Sequence, residues 1–464
     1  MESQITLNKK QKISPYLLVI LSFIGVILVG SFLLCLPFAH TNGEWGNYVE
    51  SLYTATSATC VTGFDLYNGG IASELTFFGQ LIILILIQIG GLGFITVLMY
   101  FITLFKRKLS FRDRAYISQA VSSTNIADVA IFVKKIFYVT IVIELLGMCL
   151  GLPIFLSVYD NPLEAIWASL FIAVSAFNNA GFDIFGGTSF HRNSSIFSKI
   201  DMLNDWQYHY FIGYIIFLVV LGGLSFLVLF EVFSFKKKPK QWRAFTKICL
   251  TMTFSIIIGG SLLLMLTDGF KAENPITYTD ALFQSVTART AGFTTFDPYN
   301  LTIGGRIVSC IIMFIGGSPL GTAGGIKTTT VFIILVTIVC YIRGKKVVAF
   351  KRFYSQNMIV KSMAVTIISI FVLLIGYFAI CSFEVNNPIC TGERALYEVI
   401  AGFSTTGFTT DLTATLSIGS RLIMVVLMFV GRLGPMTLFQ VFSSNMNVEE
   451  KTHFRYVEED ILIG

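Results

Sequence analysis

Four glycine–phenylalanine pairs recur along the chain, each in a polar segment that interrupts apolar sequence. They lie in TCVTGFD (59–65), FNNAGFD (177–183), TAGFTTF (290–296) and FSTTGFTTD (403–411). Their glycines, Gly63, Gly181, Gly292 and Gly407, are 118, 111 and 115 residues apart. Glycine adopts backbone angles closed to other residues and lets ions or other backbones come close. Four such segments facing one axis would present a ring of carbonyl oxygens, which replaces the water shell of a permeating cation.

One aspartate follows each of these glycines along the chain. The four are Asp65, Asp183, Asp297 and Asp411. Carboxylates around the outer mouth of such a ring would concentrate cations there. For any one of them taken singly, an ordinary outer-loop acid is the alternative interpretation.

Composition indicates a membrane protein. The mean hydropathy is +0.75, and 54% of the residues are hydrophobic against 13% charged, whereas a soluble domain carries about 25% charged residues. A helix needs roughly 20 apolar residues to cross a bilayer. Stretches of about this length or more cover 16–37, 77–105, 211–233, 248–266 and 363–383.

The net charge of +6 is distributed as a topology signal. Of the 33 Lys and Arg residues, 24 fall in the segments 9–12, 106–135, 236–247, 343–361 and 451–455. Basic segments lie on the cytoplasmic side of a membrane. We therefore expect a multi-pass protein of the cell membrane with both termini in the cytoplasm. The same distribution argues against a nucleic-acid partner.

Two further motifs repeat in step with the glycines. A short amphipathic run precedes each one, at 48–57, 162–176, 278–287 and 393–403. A second apolar span with a glycine-rich core follows each one, with the cores IGGLGF (89–94), LGGLSF (221–226), IGGSPLG (315–321) and VGRLGP (430–435). This order indicates internal quadruplication. The predicted repeats are 1–110, 111–240, 241–350 and 351–464, which together form one integral pore domain.

The repeats predict an all-α polytopic membrane fold. Each repeat enters and leaves on the same side, and its short run is about half of the length that a crossing needs. Each run is therefore expected to be a re-entrant pore helix followed by an extended segment. Non-helical backbone at membrane depth must be buried in protein or line a water-filled cavity. The expected architecture is eight spanning helices and four pore helices around a central pore.

The second span of the third repeat is too long to be one helix. It runs from about residue 301 to 343, and 43 residues would extend roughly 65 Å against a hydrocarbon core of about 30 Å. A break is predicted at 316–330, GGSPLGTAGGIKTTT. The hypothesis is an intramembrane loop that obstructs the pore and moves aside on activation. Its glycines are Gly316, Gly317, Gly321, Gly324 and Gly325.

Several charged residues fall within or beside the predicted spans. Arg432 in VGRLGP is expected to bind loop carbonyls or repel cations near the axis, and a snorkelling arginine is the alternative. Lys327 follows the loop and belongs either to the gate or to an inner-face anchor. Arg289 is expected to brace the third segment from behind through pore-loop groups. Glu144 and Glu231 are interpreted as satisfied or snorkelling acids.

The four units, the motifs TGFD, AGFD, AGFT and TGFT, and the broken third span resemble the Trk/Ktr/HKT potassium transporter superfamily over essentially the whole chain. The similarity is greatest to the membrane subunit of bacterial Ktr systems, whose ending the C-terminal EEDILIG (458–464) resembles. The resemblance implies that K⁺ is the transported ion and the only metal ion bound, with no cofactor. It implies a K⁺ site formed by the carbonyls of Val61, Thr62, Gly63, Asn179, Ala180, Gly181, Thr290, Ala291, Gly292, Thr405, Thr406 and Gly407.

The resemblance also implies partners and selectivity. Ktr membrane subunits form homodimers in the lipid membrane and sit on a cytosolic KtrA/TrkA-like regulatory ring that binds nucleotide. The basic segments 236–240 and 343–352 are candidate docking surfaces, or else solvated topology signals. Some plant relatives carry serine in the first filter and favour Na⁺, whereas this chain has glycine in all four. No unit contains TVGYG, so looser selectivity than in a K⁺ channel is expected, and Na⁺ stimulation stays open.

Other classes of function remain as alternatives. An enzyme finds little support, because the chain has no HExxH, GxSxG or P-loop motif and only four histidines. A carrier-type cation symporter would place ionisable coupling residues at broken helices. A less selective K⁺/Na⁺ channel and an accessory subunit without conduction of its own are the remaining alternatives.

Overall fold

The computed structural model describes residues 15–67, 69–93, 129–185, 205–234, 239–271 and 275–434. In the first two predicted repeats the helices are α1 (Pro15–Cys35), α2 (Tyr48–Cys60), α3 (Ile71–Glu74), α4 (Phe77–Leu92), α5 (Val129–Val158), α6 (Pro162–Phe177), α7 (Asp205–Gly223) and α8 (Phe226–Phe233). In the last two they are α9 (Ala244–Asp268), α10 (Tyr278–Thr287), α11 (Ile303–Ile315), α12 (Thr328–Ile342), α13 (Gln356–Phe383), α14 (Gly392–Ser404) and α15 (Ile418–Leu433).

Helix therefore dominates the described ranges. Short 3₁₀ turns occur at Pro37–Ala39, Pro239–Gln241, Pro298–Asn300 and Thr413–Thr415. One small hairpin pairs β1 (Val348–Ala349) with β2 (Arg352–Phe353) in antiparallel register. The predicted C-terminal motif 458–464, the basic segment 9–12 and most of the segment 106–135 lie outside the described residues.

Among the described residues, four helical segments are long and apolar enough to cross a membrane. They are Phe132–Val158, Trp206–Gly223, Ala244–Asp268 and Gln356–Phe383. The apolar helical stretches Val19–Cys35, Phe77–Leu92, Ile303–Ile315 and Thr328–Ile342 are shorter, and residues 94–105 of the predicted second span lie outside the described ranges. The expectation of eight spanning helices therefore exceeds what the described residues contain.

The outward faces of the long helices are apolar. On α13, Phe371, Ile375 and Phe378 expose 61%, 69% and 64% of their surfaces. Large contiguous apolar surface of this kind needs a non-aqueous neighbour. These faces suit contact with lipid acyl chains.

The four short helices α2, α6, α10 and α14 begin with the same chemistry. A polar side chain precedes each helix and accepts a hydrogen bond from a backbone N–H of the first turn, at Asn47, Asn161, Thr277 and Thr391. An acid lies in each first turn, at Glu50, Glu164, Asp280 and Glu393. The caps satisfy amides without a helical partner, and the acids favour the positive end of the helix dipole. The sequence thus fixes where each short helix starts.

The core surrounds these short helices. Each phenylalanine of the Gly-Phe pairs is at most 2% exposed, at Phe64, Phe182, Phe293 and Phe408. Burying a phenylalanine stabilises a fold by about 1.5–3 kcal/mol. The conformationally free glycine is therefore followed directly by an apolar anchor, a pairing to which the sequence analysis assigned no role.

The glycine-rich cores allow the second spans to touch the ends of the short helices. A Cβ placed on Gly90, Gly222 or Gly431 would collide with a backbone carbonyl, that of Thr59, Phe177 or Phe403 respectively. Small residues let helix backbones approach this closely. The helices α4, α7 and α15 thereby pack against the carbonyl ends of α2, α6 and α14.

The predicted span 211–233 is not one helix, and this expectation was wrong. The helices α7 and α8 are separated at Leu224–Ser225. Carbonyls that would accept bonds within a continuous helix accept instead from the third unit: Ser318 N donates to Gly223 O at 3.1 Å, and Thr322 N to Gly222 O at 3.2 Å. Phe226 N donates to Leu320 O at 3.2 Å. A broken helix survives when its backbone groups find other partners.

The second span of the third unit is interrupted between α11 and α12. The non-helical segment is 316–327, somewhat shorter than the expected 316–330, because Thr328–Thr330 open α12. Three residues of the segment, Gly316, Leu320 and Gly325, have positive φ. We call residues 316–327 the loop.

Replacement of Gly222 by alanine tests the packing between α7 and α6. Because its Cβ would meet Phe177 O, Gly222→Ala should lower the free energy of unfolding by about 1–3 kcal/mol. Thermal unfolding of the detergent-solubilised protein measures this loss. The control is Gly213→Ala on the same helix, where a Cβ meets no heavy atom within 4 Å. Equal melting temperatures for Gly222→Ala and the wild type would contradict the packing.

Candidate functional site

The backbone leaves each short helix in the same unusual way. Two residues before each glycine, Val61, Asn179, Thr290 and Thr405 have φ of 60°, 58°, 70° and 56°. The glycines Gly63, Gly181, Gly292 and Gly407 have φ of 102°, 71°, 84° and 78°. Positive φ is uncommon outside glycine and is strained for β-branched residues such as valine and threonine. Such strain clusters at functional sites.

These turns direct backbone amides back toward their own helices. Thr62 N donates to Ser57 O, Ala180 N to Ser175 O and Thr406 N to Ala401 O, each at 2.8 Å. In the third unit Ala291 N donates to Thr287 O at 2.8 Å and Gly292 N to the same oxygen at 3.3 Å. Since the N–H groups point toward the short helices, the carbonyl oxygens of each segment can point away from them.

The four segments close into a ring. A Cβ on Gly63 would lie 2.7 Å from Ala180 O, and one on Gly181 would lie 2.6 Å from Ala291 O. A Cβ on Gly292 would meet Thr406 O, and one on Gly407 would meet Thr62 O. Each glycine therefore faces a carbonyl of the next unit, and the fourth unit returns to the first. The structure brings the four predicted segments together around one axis.

A cavity of about 330 Å³, which we call the vestibule, opens on one side of this ring. The four ring glycines and all four aspartates line it: Asp65, Asp183, Asp297 and Asp411. The first three carboxylates accept the N–H two residues further on, from Tyr67 at 3.2 Å, Phe185 at 3.0 Å and Tyr299 at 2.8 Å. Four acids, each two to five residues after a ring glycine, thus share one vestibule.

Asp65 has a perturbed proton affinity. Burial, reinforced by the nearby Asp183 carboxylate, raises the pKa of Asp65 to about 7, although the hydrogen bond from Tyr67 N–H opposes the shift. The raised pKa means that the carboxyl is protonated below about pH 7 and charged above it. The negative charge of the vestibule therefore falls as the pH falls through neutrality.

The fourth segment is held by an acid that the sequence analysis missed. Glu398 on α14 is fully buried and accepts from Thr409 Oγ1 at 2.6 Å, Thr410 N at 3.0 Å and Thr413 Oγ1 at 2.9 Å. Glu398 thereby holds the residues that follow Gly407 against α14. The signal in the sequence was an acid within the apolar face of a short helix.

The loop lies against the opposite side of the ring from the vestibule. Gly324 N donates to Thr290 Oγ1 at 3.2 Å, and Thr322 Oγ1 donates to Phe177 O at 3.2 Å. A Cβ on Gly324 would lie 2.7 Å from Ser404 O. These partners precede the ring glycines in sequence, whereas the aspartates follow them.

The other predicted loop glycines are also packed against backbone. A Cβ on Gly316 would lie 3.1 Å from Gly325 Cα, and one on Gly325 would lie 3.2 Å from Gly316 Cα. Cβ atoms on Gly317 and Gly321 would approach Gly223 O and Leu224 O at 3.2 and 2.9 Å. The loop is thus seated between the ring and the junction of α7 and α8.

Two partly buried cations bind loop carbonyls. Arg432 on α15 donates from Nη1 to Thr322 O and from Nη2 to Gly90 O and, at 3.3 Å, to Gly91 O. Lys327 donates from Nζ to Ala323 O at 2.8 Å and to Gly324 O at 3.3 Å. Both charged groups lie within the protein beside the loop. Arg432 thereby links α15, the loop and the end of α4.

Arg289 lies behind the ring, three residues before Gly292, and is 3% exposed. Its Nη2 donates to Thr253 Oγ1 at 3.2 Å. The partner is on the long helix α9, whereas the expected partners were pore-loop groups. The contact ties the third segment to a neighbouring long helix.

A family model for cation transport proteins, TrkH, matches residues 13–451. The chain belongs to the TrkH family. It is 32% identical over 463 residues to the potassium/sodium uptake protein NtpJ of Enterococcus hirae, covering 98% of both chains. It is also 32% identical over 463 residues to the Ktr system potassium uptake protein B of Bacillus subtilis, covering 98% of this chain and 97% of that one. The resemblance inferred from the sequence is thereby confirmed.

The crystal structure of the potassium transporter TrkH from Vibrio parahaemolyticus has the same fold. It matches with a TM-score of 0.69 over 95% of this chain and 87% of that chain, at 16% identity. The named relatives of this TrkH-family chain are transport proteins, not enzymes.

The vestibule predicts a pH dependence for cation uptake. Lowering the external pH from about 8 to about 6 should raise the KM for the cation about two- to threefold, because Asp65 becomes neutral. Uptake by cells or proteoliposomes measures this. Asp65→Asn should have the higher KM at both pH values. Glu44→Gln, at an exposed residue, is the control and should keep the wild-type response; a full pH response in Asp65→Asn would assign it to another group.

Proposed function

We propose that this chain takes up potassium ions across the cell membrane through the ring of main-chain carbonyls. The observation that carries the proposal is the cyclic contact of each ring glycine with a carbonyl of the next unit. Rings of carbonyl oxygens replace the hydration shell of a cation. K⁺ is favoured as the ion because the B. subtilis relative is named a potassium uptake protein and because all four segments carry glycine.

The proposed K⁺ ligands are main-chain carbonyls of four segments. These are Val61–Gly63, Asn179–Gly181, Thr290–Gly292 and Thr405–Gly407. The partially negative C-terminal ends of α2, α6, α10 and α14 favour a cation at the axis. The four vestibule aspartates raise the local cation concentration before entry. K⁺ is the transported substrate, and no cofactor belongs to this proposal.

The proposed membrane arrangement has eight spanning helices and four re-entrant pore helices. The short helices contain 13, 16, 10 and 13 residues, so each extends roughly 15–24 Å at 1.5 Å per residue. That is less than the hydrocarbon core of about 30 Å. The four repeats 1–110, 111–240, 241–350 and 351–464 would each supply two spanning helices, with both termini cytoplasmic.

The loop is the proposed gate. It lies against the inner side of the ring, and its carbonyls are bound by Arg432 and Lys327. A partly buried cation on the proposed ion path would repel a permeating cation and also hold the loop that it binds. Opening then requires these hydrogen bonds to be exchanged as the loop moves aside.

Partners complete the proposal. A cytosolic KtrA/TrkA-like ring that binds nucleotide would regulate a homodimer of this chain in the lipid bilayer. Na⁺ would stimulate K⁺ uptake. The segment 343–352 is one proposed docking surface; it contains β1, and its five basic residues are exposed. Of the other, 236–240, residues 236–238 lie outside the described ranges.

A less selective K⁺/Na⁺ pathway is the second candidate. It is favoured by the E. hirae relative, which is named a potassium/sodium uptake protein, and by the absence of TVGYG from the sequence. A carrier-type symporter is the further alternative. Flux ratios distinguish these outcomes.

Glycine replacement in the ring tests the proposed function. The wild type should restore growth of a K⁺-uptake-deficient strain at low K⁺, and the purified protein should carry ⁸⁶Rb⁺ into liposomes. Serine at residue 63, 181, 292 or 407 should raise the KM for K⁺ by about tenfold or more, because the new Cβ displaces a neighbouring carbonyl. Gly259→Ser, where a Cβ meets no heavy atom within 4 Å, is the control.

Two results would contradict the proposal. Absence of flux through the purified wild type would identify an accessory subunit. Equal KM values for K⁺ in the wild type and all four serine variants would remove the ring from the transport path.

Removal of the Arg432 guanidinium tests the gate. Arg432→Ala should raise the maximal uptake rate by about threefold or more with a smaller change in KM, because the loop loses a charged hydrogen-bond donor. The control is Arg421→Ala on the same helix, whose guanidinium pairs with Glu50 at 3.4 Å instead of binding the loop. An unchanged rate and ion preference in Arg432→Ala would exclude the proposed gating role.

A further inference from the structure

A closed triad of polar side chains lies behind the second segment of the ring. Gln88 Nε2 donates to Glu144 Oε2 at 2.9 Å, and Asn178 Nδ2 donates to Glu144 Oε1 at 2.9 Å. Asn178 Nδ2 also donates to Gln88 Oε1 at 2.9 Å. Gln88 lies on α4, Glu144 on α5, and Asn178 directly after α6. The triad therefore joins three helices at one buried point.

The carboxylate of this triad is an unusual group for its position. Glu144 is 5% exposed and lies in the apolar segment Phe132–Val158. In the described part of the chain, two amide donors and no cation bind it. Buried acids in membrane segments are costly and are usually functional. Their hydrogen-bond partners are fixed tightly, since an unmade bond is expensive at low dielectric.

The triad is connected directly to the ring. Asn178 follows α6 and precedes Asn179, whose positive φ begins the second segment. The amide oxygen of Asn178 lies against Gly91, where a Cβ would collide with it. Two residues after Asn178, the carbonyl of Ala180 faces Gly63 of the first unit. A shift of Asn178 would therefore be transmitted to a ring carbonyl within two residues.

We propose that Glu144 is a positioning residue for ion selection, acting through Asn178 on the carbonyl of Ala180. This inference rests on the proposed function of the ring as a K⁺ site. A binding site works best when its ligand atoms are held within about 0.5 Å of the productive geometry. The triad supplies that restraint in the second unit. Its counterpart in the third unit is the contact between Arg289 and Thr253.

Helix association alone is the competing explanation. Polar side chains also join membrane helices without any effect on a binding site. In that case, replacement of Glu144 would lower the amount or thermal stability of the protein and leave the KM and the ion preference unchanged. The two explanations therefore differ in a kinetic readout.

The first test is Glu144→Gln. Both carboxylate oxygens accept from amide groups, so the carboxamide satisfies one donor and turns its own NH₂ toward the other. The KM for K⁺ should rise about three- to tenfold, with the maximal rate per folded protein changed by less than about twofold. Na⁺ uptake relative to K⁺ uptake should increase. The matched control is Glu231→Gln, because Glu231 accepts from Thr246 Oγ1 and Arg243 N away from the ring.

The second test is rescue by exchange. In the double variant Glu144→Gln with Gln88→Glu, the new carboxylate at 88 accepts from Asn178 and from the carboxamide at 144, whose oxygen accepts from Asn178. The same three hydrogen bonds are re-formed with one reversed, so the KM and the ion preference should return toward wild-type values. Thermal unfolding of each variant measures the folded fraction, to which the uptake rates are normalised.

The outcomes separate this inference from the proposed function. If the wild type takes up K⁺ but Glu144→Gln keeps its KM and its Na⁺/K⁺ uptake ratio, the positioning role is wrong while the ring function stands. A variant whose only defect is a lower melting temperature also overturns it. If the wild type takes up no K⁺, the proposed function fails and this inference fails with it.

Discussion

The structure depends on how backbone polar groups are satisfied at a point far from bulk water. Every N–H and C=O removed from solvent needs a partner, and four irregular segments multiply that demand. The positive-φ residues at 61, 179, 290 and 405 meet it by turning amides toward the short helices that they follow. The carbonyls then face the axis, where the proposed ligand is a cation. Donor satisfaction and cation affinity thus follow from one backbone geometry.

Glycine makes this geometry possible in a specific way. Its permissive φ is one requirement, but the closer limit is space, because each ring glycine touches the carbonyl of the next unit. The buried phenylalanine that follows each glycine anchors the segment on its other side. Ordinary apolar burial therefore holds a strained polar segment in place, and the strain is distributed over four equivalent positions.

The repeated part of this architecture could be predicted from the sequence. The period of the Gly-Phe pairs located four short helices, and the observed α2, α6, α10 and α14 occupy those runs. The grouping of the four aspartates around one vestibule also followed from the presence of one aspartate two to five residues after each glycine. Family membership followed from the same motifs. These features are encoded locally and four times over, so each copy supports the others.

The unrepeated part could not be predicted in the same way. The glycine-rich core LGGLSF did not by itself predict a helix break at Leu224–Ser225, since the partners of the freed backbone groups lie about a hundred residues away in the loop. The triad around Glu144 joins segments that are distant in sequence. The contacts of Glu398 are closer in sequence, but they depend on its side chain pointing into the protein from the apolar face of a short helix. Only an assembled structure brings such partners together.

Assembly of the ring from a single chain has a consequence for the residue three places before each glycine. That position is occupied by Cys60, Asn178, Arg289 and Ser404, four side chains of different size and charge. Four identical subunits would carry the same residue at this position in every copy. An arginine there would place four positive charges around the axis. Fusion into one polypeptide lets a single guanidinium support one quadrant, without the mutual repulsion of four like charges. Each quadrant can then carry a different supporting side chain behind the same ring of carbonyls.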